Sequence, residues 1–133
     1  MPVSVSWDND AHSIIHFQMS APWTWDEYRS ADEQAQRLMD AATHKVDIIL
    51  DFSGGMHLPS SDLKYVRRAG QLTHPQQGLV VVLGVNAFLR ALGTALETFF
   101  PGAAKNRRMA ASKEEAYRMI AEEQVARGSS QSR

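Results

Sequence analysis

Two unbroken apolar runs, Ile48-Ile49-Leu50 and Leu79-Val80-Val81-Val82-Leu83, constrain this chain more than any other feature. The longer run, Leu79 to Leu83, shows no alternation and so has no face to offer water, which places it inside a parallel sheet covered on both sides. Each run ends in turn chemistry and then resumes with helical spacing. Asp51-Phe52-Ser53-Gly54-Gly55 leads to Pro59-Ser60-Ser61, and Gly84-Val85-Asn86 leads to Phe88, Leu89, Leu92 and Leu96. Strands alternating with helices imply an α/β layer fold, and right-handed crossovers limit how it can wind.

The flanking segments complete the pattern. Val3-Ser4-Val5-Ser6-Trp7 alternates apolar and small polar residues, Asp8-Asn9-Asp10 supplies a turn, and Ser13 to Met19 resumes with β-branched and aromatic residues, predicting an N-terminal hairpin whose first strand lies at an edge. Thr24 and Glu27 form the T-x-x-E capping box of a helix whose apolar stripe is Trp25, Tyr28, Ala31, Ala35, Leu38, Met39 and Ala42. Trp23, just before that cap, is expected to staple the helix entry. Shorter helical patterns cover Ser61 to Leu72 and the segment after Asn86. A last strand is expected at Arg107 to Ala110, before a second box, Ser112-x-x-Glu115, and a helix carrying Ala116, Tyr117, Ile120 and Ala121. The expected order is β, β, α, β, α, β, α, β, α, a mostly parallel sheet with four helices in one domain over residues 1–126. Residues 127–133, with GSSQSR from Gly128, are expected to be a disordered tail because they have nothing to bury.

Composition narrows the function classes. A chain of 133 residues fits one domain, and the absence of cysteine removes disulfides, thiolate metal sites and a cysteine nucleophile. With 14 basic and 15 acidic side chains the net charge is −1, so no global field draws the chain to nucleic acid. No apolar run approaches a membrane span, and MPVSVSWDND lacks the layout of a signal peptide, so a cytoplasmic protein is expected.

The chemistry concentrates after the first apolar run. Asp51, Ser53, Gly54, Gly55, His57 and Pro59 form a strand-to-helix connection, and in open α/β sheets ligands and partners are met at such strand ends. Ser60, Ser61 and Asp62 suit the first turn of the next helix, and Lys64, Arg67 and Arg68 give it a basic edge. Asp51, Ser53 and His57 share one loop, but a catalytic triad is defined by geometry, and there is no G-x-S-x-G elbow. His12 and His16 flank a strand, where positions four apart lie about 13 Å from each other, too far for one ion. Phosphate-loop and dinucleotide fingerprints are absent, and no metal or cofactor is expected. The large apolar set Trp23, Trp25, Met39, Met56, Phe88, Phe99 and Phe100 leaves a second reading, a carrier of a small apolar ligand or lipid.

The element order, ILDFSGGMHLPSSDLKYV, VVVLGVNAFLRALGTAL and ASKEEAYRMI together resemble the STAS domain, the family of sulfate-transporter and anti-sigma-factor antagonist modules, over Val3 to Glu123. The resemblance implies a non-enzymatic regulatory module that binds a protein partner, either a kinase or an anti-sigma-like regulator. In the antagonists the first serine of the motif accepts a phosphate from a partner kinase, and Ser60, with Ser61 beside it, matches that position. Pro59 stands where the family carries an acid, and Asp62 where it has glycine. Diverged relatives occur as small stand-alone bacterial proteins, which this chain resembles more closely. A monomer and a homodimer are both compatible with it.

Overall fold

The computed structural model describes residues 3–20, 22–54, 74–84 and 107–131. Their elements are β1 (Val3–Trp7), β2 (Ile14–Ser20), α1 (Trp25–Asp40), β3 (Val46–Gly54), β4 (Gln77–Leu83), β5 (Arg107–Ala110) and α2 (Lys113–Gln131). They form one mixed sheet in the order β1-β2-β3-β4-β5. β1 runs antiparallel to β2, and the remaining neighbours are parallel. The two apolar runs lie in the interior strands β3 and β4, and the run Leu79 to Leu83 is buried throughout, as a strand with no polar face requires. Two of the four expected helices are described. The other two, expected over 61–72 and after Asn86, lie outside the described residues.

The β1–β2 connection is templated by Asn9. Its Oδ1 accepts the amides of Ser13 (3.0 Å) and Ile14 (3.2 Å), and its Nδ2 donates to the Ser13 hydroxyl (2.7 Å). His12 takes a left-handed backbone (φ 53°), and its ring stacks on Trp7 with centroids 4.6 Å apart. β2 then runs from Ile14 to Ser20.

Strand alternation divides the core between two faces. Ile15, Phe17, Met19, Val46, Ile48, Phe52, Val80 and Val82 bury one face against Trp23 and against Ala31, Ala35 and Met39 of α1. Ile14, Ile49, Leu79, Val81, Leu83 and Ala110 bury the other against Ala116 and Ile120 of α2. Trp23 and Met39, considered above as pocket residues, are packed in the first cluster with Trp25 against it. Met56, Phe88, Phe99 and Phe100 lie outside the described residues.

The α1 entry forms as its sequence requires. The Thr24 hydroxyl accepts the Glu27 amide (3.1 Å), and the Glu27 carboxylate accepts the Thr24 amide (3.0 Å). Trp23 is 3% exposed, and its ring sits 6.1 Å from that of Tyr28, the staple that joins the residue before the cap to the second turn. Thr24→Ala is therefore expected to cost about 1 kcal/mol in a urea titration. An unchanged midpoint would mean that the box does not hold this helix.

Two boundaries depart from the sequence reading. β3 continues to Gly54, so Asp51 and Ser53 belong to the strand rather than to a loop after it. Phe52 explains the extension: it is buried on the α1 face, 6.3 Å from the Trp23 ring, which keeps the strand alternation running. α2 likewise continues through Gly128 to Gln131, into the stretch expected to be a tail. Gln124 and Arg127, three positions apart on one helix face, both reach Asp47 near the start of β3 and tie down that end. Among the described residues no helix is long and apolar enough to cross a membrane.

Candidate functional site

Alternation along β3 sends Ile48, Leu50 and Phe52 to the α1 face and leaves Asp47, Ile49, Asp51 and Ser53 on the α2 face. Asp51 is 0% exposed, near the carboxyl end of the central strand. A buried carboxylate needs donors to offset its lost hydration. Its Oδ1 accepts the Ser53 amide at 2.8 Å, and the Ser53 hydroxyl also bonds to it. Its Oδ2 lies 2.9 Å from Nε2 of His16, on the adjacent strand β2.

The His16 ring is held from both sides. Its Nδ1 faces Asp8 Oδ1 at 3.6 Å, an ion-pair distance rather than a hydrogen bond. The Tyr117 hydroxyl of α2 is close enough to Asp8 to feel its charge. Four elements therefore meet here: the β1–β2 turn, β2, β3 and α2. The imidazole thus lies between two carboxylates, hydrogen-bonded to Asp51 on one side and facing Asp8 on the other.

Ionisation follows from these contacts. Burial alone pushes the Asp51 carboxyl up, but the Ser53 bonds, the His16 bond and the His16 charge together bring it below the usual carboxylate range. Burial, aided by the Asp8 and Asp51 charges, pushes the Tyr117 phenol up to about 12. The two shifts act at opposite ends of the pH scale. Asp51, depressed in the fold, contributes stability that is full above its ordinary value of 3.8 and is lost as pH falls through the folded value. Tyr117, raised in the fold, contributes stability that is full below 10.0 and is lost as pH rises towards about 12. Urea midpoints against pH should fall at both ends. Asp51→Asn should flatten the acid limb and Tyr117→Phe the alkaline one, and unchanged limbs would contradict these assignments.

Of the residues singled out in the sequence, Asp51, Ser53 and the backbone of Gly54 fall within the described strand. Gly55, His57, Pro59, Ser60, Ser61, Asp62, Lys64 and Arg67 lie outside the described residues. Asp8, His16 and Tyr117 were not anticipated as partners of Asp51. The available signal was parity, since His16 falls on the opposite face of β2 from Ile15, Phe17 and Met19, where an unpaired imidazole would need a polar partner.

The arrangement differs from a Ser–His–Asp triad. Among the described residues Ser53 bonds to Asp51, whereas both His16 nitrogens face carboxylates, so His16 is not placed as a base for Ser53; His57 lies outside the described residues. His12 and His16 do not converge on one point, and no group of three metal-ligating side chains is found among the described residues. No family model, curated protein or solved structure matches the chain.

Proposed function

We propose that this chain is a non-enzymatic regulatory module that binds a protein partner through the carboxyl end of β3 and the segment from Gly55 to Arg67, the reading implied by its STAS resemblance. The observation that carries it is the division of labour at the strand end. The carboxylate of Asp51 is fully buried and spent on internal bonds, while the residue presented to solvent is Ser53. A strand end held this way supplies a fixed platform for recognition, and rigid scaffolds that carry variable connections are where binding surfaces are commonly built.

In this reading Ser60 is the regulated position, with Ser61 beside it. Phosphate there adds up to about two negative charges, which repel an acidic partner surface otherwise attracted to Lys64, Arg67 and Arg68. The test combines phosphosite mapping after incubation with candidate kinases and quantitative pull-down of wild type against Ser60→Asp and Ser60→Ala. Ser60→Asp should lower partner recovery about tenfold or more, with Ser60→Ala near wild type. Equal recovery for all three, with no phosphate on Ser60 or Ser61, would remove the switch.

A further inference from the structure

A second polar feature lies at the opposite end of the sheet, where β2 and β3 begin and α2 ends. A cavity of about 420 Å³ opens there, walled by Ser13, Thr43, His44, Lys45, Gln124 and Arg127, with Ala11 and Gly128 leaving room at its edge. That volume is within the range of small-molecule sites, roughly 300–1,000 Å³. Its polar side chains include hydroxyls, an amide, an imidazole, an ammonium and a guanidinium, and none of the residues lining it is acidic.

The wall is pre-positioned from behind. Asp47, 0% exposed, accepts Arg127 Nη2 at 2.6 Å and Gln124 Nε2 at 3.1 Å, so a buried carboxylate orients two of the cavity's donors. The third donor to Asp47 is the Leu79 amide at 2.8 Å. Arg127 Nε is buried without an acceptor, so the guanidinium is not fully satisfied. Lys45 Nζ bonds to the Pro75 carbonyl at 2.7 Å, a neutral acceptor, and no carboxylate pairs with it among the described residues. Asp47 balances Arg127, and the remaining charge of the wall is therefore positive.

We propose that this cavity binds a small phosphate-bearing molecule. A tetrahedral oxyanion presents several acceptor oxygens at once, which suits donors arriving from the two strand starts and from α2. Lys45 supplies the charge, Ser13 and Thr43 supply hydroxyls, and Arg127 and Gln124 supply a wall fixed by Asp47. This site is separate from Ser53 and does not depend on the proposed partner surface.

The test is an NMR titration of the whole chain at low ionic strength with inorganic phosphate, pyrophosphate and a nucleoside monophosphate as separate probes. Saturable shifts are expected at the amides of Thr43, His44, Lys45 and Gly128 with at least one probe, weakening as salt is added. Lys45→Ala removes an exposed side chain and should leave the fold intact while lowering affinity about tenfold or more. Lys113→Ala, at the other end of α2, serves as the charge control and should bind like wild type. The proposal is overturned if none of the three probes gives saturable shifts, if the shifts map elsewhere, or if Lys45→Ala binds as tightly as wild type.

Discussion

Asp47→Ala is expected to lower the unfolding free energy by about 3–5 kcal/mol, the largest effect anticipated for a single substitution in this chain. Asp47 is fully buried, and the alanine leaves three donors without their acceptor: the Leu79 amide, Gln124 Nε2 and the charged Arg127 guanidinium. The costly part is the loss of a fully buried acceptor shared by three donors, with Arg127 itself 21% exposed, and domains of ordinary stability have only about 5–15 kcal/mol to lose. The neighbouring glycine supports the same picture. A Cβ on Gly78 would lie 2.5 Å from Asp47 Oδ1 and 2.9 Å from Arg127 Nη1, so the pair needs the space that glycine leaves. Pairing Asp47→Ala with Arg127→Met should restore much of the loss, because the second change removes the orphaned charge. Equilibrium urea unfolding of the four proteins in the cycle measures this, and additive losses would show that the two residues are not coupled.

Asp51→Ala ranks second, with an expected loss of about 2–3 kcal/mol. It strips the Ser53 amide of its acceptor and leaves the His16 ring with Asp8 alone. The smaller figure reflects the exposure of that edge, since Tyr117 over Asp8 is 37% exposed. Asp51→Asn keeps a carbonyl for the Ser53 amide and should cost less. Asp51→Ala releases the end of β3, so its partner recovery should fall even under conditions where the protein remains folded. Full stability together with full binding in Asp51→Ala would contradict the role assigned to this carboxylate.

The contrast between these acids and the apolar runs explains what the sequence could reveal. Leu79 to Leu83 declares its place because burial on both faces needs only apolar composition, a local property. Thr24, Glu27 and Trp23 are equally legible, since capping and stapling act within five residues. Asp47 is different. An acid between Val46 and Ile48 demands a donor, but its charged partner, Arg127, lies 80 positions away in a stretch that by composition reads as a tail. Asp51 was singled out for its position at the strand end, whereas its bond to His16 spans 35 positions and depends on the parallel register of β2 on β3. Strand parity shows that these residues share a face. It does not show which of them meet. The strand end is equally non-local: Phe52 stands among the turn residues Asp51, Ser53, Gly54 and Gly55, and only its burial against Trp23 carries β3 on to Gly54.

Site-specific photocrosslinking from Ser53 tests the proposed interaction surface most directly. A photoreactive residue at Ser53, compared with one at Ser4 on the edge strand β1 and one at Glu122 on α2, reports which surface a protein partner occupies. A discrete crosslinked partner is expected from position 53, weak or absent from 4 and 122, and lost when Asp51→Ala or Ser60→Asp is added. Crosslinks of equal yield from all three positions, or a partner captured only from 4 or 122, would contradict it.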